Sequence, residues 1–261
     1  MQDATHGASV IDLNVPMLRR AYSIAGLRRA AGGFEIDVIF RVVGTATRWM
    51  ETLRPGDALS LLGPLGNAFP ISDSKPLAWL VAGGVGLPPM LWLADALAAA
   101  GKKVVAFCGA QHKNLLALTI DSGAKPDPSA ITAALWATEF AASGTPVIIS
   151  TDDGSLGFRG YVPAAMTAHF AAATPDPSSL VLYTCGPEPM MHAVADFCTQ
   201  RNIEGYLCME RNMACGTGMC QSCVVPLHDS ADPEGWSYKL CCTDGPIFSA
   251  PAILWQTPVR R

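Results

Sequence analysis

The sequence predicts a multidomain β plus α/β chain that ends in a small metal-binding module. Three observations carry that expectation. Short β runs with Gly/Pro corners fill the first part, strands alternating with helices fill the middle, and cysteines crowd the end. The expected modules are residues 1–73, 74–204 and 205–261. Strand–helix alternation argues for a parallel sheet with crossover helices.

Length and composition set the bounds. The chain has 261 residues, half of them apolar, enough for two to three domains with a sizeable core. Its formal net charge of −4 and lack of a basic cluster exclude nucleic acid as an expected partner. No apolar run reaches the roughly 18 residues of a membrane span. The longest, "LAWLVAGGVGLPPMLWLADALAAA", is cut by glycines, prolines and Asp95. The opening "MQDATHGASV" carries no signal-peptide pattern. Nine cysteines without a secretion signal point to a reducing, cytoplasmic compartment, where thiols serve metals or redox chemistry.

Taken in order, "FEIDVIFRVV" reads as a strand ended by Gly44, and "LRPGDALSLLGPLG" as a turn, a strand and a Gly/Pro corner. This is the texture of an antiparallel barrel or sandwich. "LAWLVAG" then reads as a buried strand and "PPMLWLADALAAA" as a helix started by prolines and stopped by Gly101. "KKVVAFCGA", "TPVIIS" and "SLVLYTCG" are further strands, the last followed by a helix from "PEPMMHAVADFC", while "DSGAKPDPSA" is a surface loop. After about Gly205 the regular pattern is expected to stop.

The stretch "RNMACGTGMCQSC" places Cys215, Cys220 and Cys223 in C-x₄-C-x₂-C spacing, with Cys241 and Cys242 downstream. Disulfide, zinc and iron–sulfur readings compete. Zinc sites pair C-x₂-C knuckles or add two histidines, whereas this spacing is the plant-type [2Fe–2S] pattern. Gly216 and Gly218 let backbone N–H groups approach the sulfur atoms and stabilise their negative charge. For the fourth ligand, neighbouring residues on a strand point to opposite sides. Cys241 shares parity with Lys239, which assigns it to the solvent face and Cys242 to the cluster. Cys108, Cys185, Cys198 and Cys208 read as small buried hydrophobes.

Further stretches point to nucleotides. In "RRAYSIAG", an arginine can pair with a pyrophosphate, Tyr22 can stack on an isoalloxazine and Ser23 can hydrogen-bond the flavin edge. Downstream, "FRVVGTAT" offers a small-residue turn ending in Thr47 for phosphate. "VAGGVGLPP", with Gly83, Gly84 and Gly86, follows a strand and opens a helix, as a dinucleotide turn does, although it lacks the strict G-x-G-x-x-G pattern. Cys185 and Gly186 of "TCGPEPMM" close the last strand of the same module, where Cys185 sits at a nicotinamide or is simply a small apolar residue. "QHKN" after the second strand offers neither an acid for a ribose hydroxyl nor an arginine for a 2′-phosphate, although Lys113 can bind a phosphate. No acid–base pair or nucleophile stands out. His112, His169, His192 and His228 are scattered, so no catalytic side chain is expected and the chemistry belongs to cofactors.

With these motifs in view, the chain resembles the electron-transfer subunits of class 1B dihydroorotate dehydrogenase, within the ferredoxin reductase superfamily. The resemblance runs from about Leu18 to Trp255, and "ERNMACGTGMCQSCVV" and "KLCCTDGPIF" are its most specific parts. It implies an FAD-binding antiparallel barrel shortened at its N-terminus, a parallel-sheet NAD-binding domain and a C-terminal [2Fe–2S] module. By position it assigns Arg20, Ala21, Tyr22 and Ser23 to the first FAD segment, Ile39, Phe40 and Arg41 to the second, and Ala46 and Thr47 to the third. Ala46 replaces the family's usual glycine. Cys215, Cys220, Cys223 and Cys242 match the cluster ligands. The implied partner is an FMN-containing catalytic subunit in a heterotetramer, with electrons passing through the cluster and FAD to NAD⁺. Competing readings are a relative serving a hydrogenase, sulfite reductase or ferredoxin-linked reductase, and a zinc-stabilised module with no enzymatic role.

Overall fold

The computed structural model describes residues 19–121, 123 and 131–256. The opening "MQDATHGASV", Leu18 and most of the expected loop "DSGAKPDPSA" lie outside the described residues. The first module begins with an antiparallel hairpin, β1 (Gly26–Ala30) and β2 (Gly33–Asp37). Gly32 turns it with φ +87°, a left-handed geometry that glycine adopts without a steric penalty. Arg28 pairs across the hairpin with Asp37, which raises the arginine's pKa and lowers the aspartate's.

The strand expected through "FEIDVIFRVV" stops at Asp37. Its partner leaves the ladder once Ala25 has donated to the Asp37 carbonyl (2.8 Å). The expected "GTAT" turn is instead the start of helix α1 (Thr45–Thr52). The strand expected in "LRPGDALSLLGPLG" pairs with no other strand among the described residues, and Leu59, Leu61 and Leu62 are exposed there. An extended segment becomes a strand only where a neighbour supplies ladder bonds.

The second module is built on β3 (Leu77–Gly83), α2 (Leu87–Ala99), β4 (Lys103–Ala110), β5 (Val147–Thr151), β6 (Phe158–Arg159), α3 (Val162–Ala173), β7 (Leu180–Cys185) and α4 (Glu188–Arg201). Pro88 and Pro89 sit in the first turn of α2, where two missing N–H groups cost no helical bond. Asn202, at φ +52°, ends α4. Along β3, Ala78, Leu80 and Ala82 face α2, whereas Trp79 and Val81 join the core under α3 and α4. Burial on both faces is why these strands read as continuous apolar runs. Each fully buried large side chain, such as Leu80 or Phe107, contributes roughly 1.5–3 kcal/mol.

The regular pattern does not stop at Gly205. Strand β8 (Glu204–Cys208) adds parallel to β7, β9 (Val224–His228) and β10 (Trp236–Leu240) form a hairpin, and β11 (Ile247–Ser249) returns antiparallel to β8. The sheet order is β11-β8-β7-β3-β4-β5-β6. The chain therefore reverses its direction of winding between β3 and β7, and the crevice beyond the carboxyl ends of such a pair is where open α/β sheets bind ligands. No helix of the described residues is long and apolar enough to cross a membrane.

Candidate functional site

Two glycine turns meet at that switch point. Gly84–Gly86 forms a 3₁₀ turn between β3 and α2, with Gly84 at φ +54°. A Cβ on Gly86 would overlap the backbone carbonyl of Cys185, and a Cβ on Gly186 (φ +151°) would stand 2.9 Å from the Gly83 oxygen. The turns thus lie back to back, which only glycine permits. Pro88 and Pro89 lack N–H groups, so the second and third positions of α2 offer no backbone donors. An adjoining cleft is lined by Gly84, Leu87, Cys108, Gly109 and Leu115–Leu118. Cys185 is buried at the end of β7, in register with Cys208 on β8. The Cys208 thiol and burial push its own thiol well up.

The sequence reading missed the acids beside this cleft. Asp152 and Asp153 follow β5, yet their N–H groups donate to the carbonyls of Ala110 (3.1 Å) and Gln111 (3.2 Å) at the end of β4. The Ser155 hydroxyl and the Ser155 N–H, which donates to Asp153 Oδ1 (2.9 Å), hold the Asp153 carboxyl low, and Ser155 Oγ accepts from Lys113 N–H (2.8 Å). Burial and the neighbouring Asp153 raise Asp152. The end of β4 is thus flanked by two acidic residues that belong to the segment after β5.

The structure brings the first two expected flavin segments together. Arg20, Ala21, Tyr22 and Ser23 are exposed and lead into the hairpin strand beside Asp37, while Ile39 and Phe40 are half-buried and Arg41 is exposed. The rings of Tyr22 and Phe40 meet edge-on, 6.5 Å apart at 74°. Arg20 Nη1 donates to the Arg19 carbonyl (3.2 Å), and Arg19 Nη2 to Ser60 Oγ (2.8 Å). Ala46 and Thr47 lie in the first turn of α1. Thr47 Oγ1 accepts from the N–H groups of Val43 (2.9 Å) and Gly44 (3.0 Å), so this hydroxyl caps the helix.

In the cysteine loop, Gly216 (φ +73°) and Gly218 (φ +81°) fold the backbone inward. Cys215 Sγ accepts from the N–H groups of Thr217 and Cys220, both at 3.4 Å, which lowers its pKa to about 6. Cys220 Sγ lies 3.1 Å from Ser222 Oγ, and that contact lowers it too. The Cys242 thiol is buried beside the Cys223 thiol and the Gly218 N–H. Cys241 instead faces the core, fully buried, with its Sγ donating to the Met209 carbonyl (3.1 Å) and its pKa pushed up to about 12 by burial.

This corrects the parity argument. Strand β10 ends at Leu240, so Cys241 and Cys242 lie in a turn, and Cys241 points inward rather than to solvent. Among the described residues, no three His, Cys, Asp or Glu side chains are gathered to hold one metal ion. Backbone N–H groups directed at sulfur fit the negative charge of a thiolate-bound iron–sulfur cluster. Arg211 joins the cluster module to the nucleotide turn. It pairs with Glu188 in the first turn of α4 (2.9 Å) and donates through Nε to the Val224 carbonyl (3.3 Å).

Of the histidines, His169 packs against Trp79 and Phe107, and His192 stacks on Trp255 at 4.5 Å. Cys108, Cys185, Cys198 and Cys208 are all buried, as expected.

Comparison with known proteins places these features in a family. Residues 210–254 match the iron–sulfur cluster binding domain of dihydroorotate dehydrogenase B. Residues 4–68 match the siderophore-interacting FAD-binding domain, and residues 80–196 the oxidoreductase NAD-binding domain. The chain is 32% identical to the dihydroorotate dehydrogenase B (NAD(+)) electron transfer subunit of Desulforamulus reducens, over 94% of this chain and 83% of that one. It is 36% identical to the protein of the same name from Geobacillus kaustophilus, over 92% of this chain and 81% of that one. The solved structure of an NADH-dependent reduced ferredoxin-NADP oxidoreductase superposes with a TM-score of 0.71 at 26% identity, over 91% of this chain and 75% of that one.

Proposed function

The chain belongs to the family of dihydroorotate dehydrogenase B electron transfer subunits, and from that premise we propose that it passes electrons from a partner flavoenzyme through a [2Fe–2S] cluster and FAD to NAD⁺. The observation that carries this reading is the register of Cys185 with Cys208. The nicotinamide turn closes β7, and the cysteine loop follows directly on β8, its neighbour in the sheet. A nucleotide at one turn and a cluster in the other are therefore served by adjacent strand ends.

FAD supplies the conversion between two-electron hydride chemistry and the one-electron chemistry of the cluster. Cys215, Cys220, Cys223 and Cys242 hold the cluster. Arg20 would neutralise the FAD pyrophosphate, Tyr22, whose ring meets Phe40 edge-on, would cover the flavin, and Ala21 and Ser23 would line the same wall. Ile39 and Arg41 flank it, and the first turn of α1, with Ala46 and Thr47, presents N–H groups to phosphate. Gly83, Gly84, Gly86 and Gly186 would admit the NAD pyrophosphate, and Cys185 would face the nicotinamide.

The partner is an FMN-containing catalytic subunit that oxidises dihydroorotate in pyrimidine biosynthesis, assembled with this chain as a cytoplasmic heterotetramer. The 0.71 superposition favours a second reading, a ferredoxin-linked NADP oxidoreductase subunit. Anaerobic purification with the co-purifying subunit separates them. Flavin bands, cluster absorbance bleached by NADH, and dihydroorotate-dependent NAD⁺ reduction are expected. A flavin- and iron-containing complex that reacts with ferredoxin and not dihydroorotate selects the second reading, and a colourless zinc protein overturns both.

A further inference from the structure

Asn67 ends the Gly/Pro corner of the first module, and its side chain reaches across 177 to 180 positions of sequence to the turn that follows Cys242. Its Nδ2 donates to the carbonyls of Asp244 (3.0 Å) and Ile247 (2.9 Å), and its Oδ1 accepts from Ile247 N–H (2.9 Å). Its own backbone N–H donates to the Gly245 carbonyl (2.6 Å). One residue earlier, Gly66 (φ +77°) passes so close that a Cβ there would stand 2.8 Å from the Pro246 ring. Leu65 Cδ1 lies 3.4 Å from the position a Cβ on Gly216 would take. Leu65 therefore lies over the loop bearing Cys215, while the next two residues, Gly66 and Asn67, meet the turn that follows Cys242.

The turn transmits what Asn67 holds. The Leu240 carbonyl accepts from Asp244 (2.8 Å), Gly245 (3.2 Å) and Thr243 (3.3 Å), and Leu240 N–H donates to Asp244 Oδ2 (2.6 Å). Cys242 lies inside that closed ring of bonds, so Asp244 and Gly245 cannot shift without moving it. An asparagine amide offers two donors and an acceptor in one plane, which matches the two carbonyls and one N–H it meets here.

We propose that Asn67 is a positioning residue that fixes the iron–sulfur cluster at its working distance from FAD. The proposal rests on the function stated above. Electron tunnelling between two carriers falls exponentially with their separation, so an outward shift of the turn bearing Cys242 slows transfer between FAD and the cluster.

The test uses the holoprotein with FAD and iron content measured first. If the unsubstituted chain holds neither cofactor, the functional reading fails; with both bound, the outcome bears on Asn67 alone. In stopped-flow reduction by NADH, flavin bleaching and the later loss of cluster absorbance are followed as separate phases. Asn67→Ala and Asn67→Asp are both expected to leave the flavin phase unchanged and slow the cluster phase several-fold. The aspartate keeps the shape but sets a carboxylate against two carbonyls, so a role in filling space alone predicts wild-type behaviour for it. A wild-type cluster phase in either variant overturns the proposal. Hydrogen exchange on the native chain needs no substitution. The N–H groups of Asn67 and Ile247 are expected to be protected like those of β8, and exchange at open-loop rates overturns the proposal as well.

Discussion

Gly86 and Cys185 are in backbone contact: the carbonyl of Cys185 occupies the space that any side chain on Gly86 would need. The contact locks the turn after β3 against the end of β7, so the two walls of the nucleotide crevice are set by each other. Neither wall can be altered alone.

Gly86→Ala is therefore expected to destabilise the chain by about 1–3 kcal/mol, the usual range for overpacking, and to weaken NADH binding. Gly84→Ala is the informative comparison. Nothing lies within 4 Å of its would-be Cβ, but its φ is +54°, so only backbone strain is added, about 1 kcal/mol. Denaturant unfolding and NADH titration of the two variants check the order. Equal losses would mean the Cys185 contact carries no weight.

NADH is expected to be preferred over NADPH, and Asp152 with Asp153 are expected to be the cause. Their tie to Ala110 and Gln111 sets two carboxylates at the end of β4, where a 2′-phosphate would meet like charge. Asp152→Asn with Asp153→Asn should narrow the preference by roughly tenfold, about 1.4 kcal/mol. Steady-state kinetics with both nucleotides decides it, and a tenfold preference of the unsubstituted chain for NADPH would sink the assignment.

What the sequence made legible follows from where burial leaves a pattern. Strands such as "LAWLVAG" and "VVAFCGA" are covered on both faces and read as apolar runs, and the cysteine spacing is a local signal within one loop. Strand β8, "EGYLC", is five residues long with a glycine inside, and Pro226 interrupts β9. Neither shows a period. The Asn67 bonds and the placement of Asp152 beside β4 depend on contacts between distant segments, which no window of sequence holds. Parity misplaced Cys241 because it presumes that the strand continues, and β10 ends one residue too soon.

Arg20→Ala should lower FAD content while leaving iron content unchanged, because Arg20 stands at the entry to the flavin wall formed by Tyr22 and Phe40 and away from the cysteine loop in sequence. The ratio of flavin to iron in purified protein is the measurement. Unchanged FAD occupancy would show that another residue holds the pyrophosphate. Tyr22→Ala tests the same wall by a different property: FAD fluorescence should rise as the stacking ring is removed.

Cys242 is expected to be the fourth thiolate. Cys241 and Cys242 are neighbours and both are buried, so exposure does not separate them; direction does. The Cys241 thiol is committed to the Met209 carbonyl (3.1 Å), whereas the Cys242 thiol lies with Cys223 and the Gly218 N–H. Cys242→Ser should lose most of its iron and the EPR signal of the reduced state. Cys241→Ser should keep both, because a serine hydroxyl can still donate to Met209. It should lose at most about 1–2 kcal/mol of stability, from a smaller and more polar side chain in an apolar site. Iron analysis, EPR and unfolding on the two variants give three independent readouts. Loss of iron from Cys241→Ser with retention in Cys242→Ser would reverse the ligand assignment and would require the turn at Leu240–Asp244 to open, because Cys241 N–H is bonded to the Cys223 carbonyl (2.8 Å) and its thiol to the Met209 carbonyl (3.1 Å).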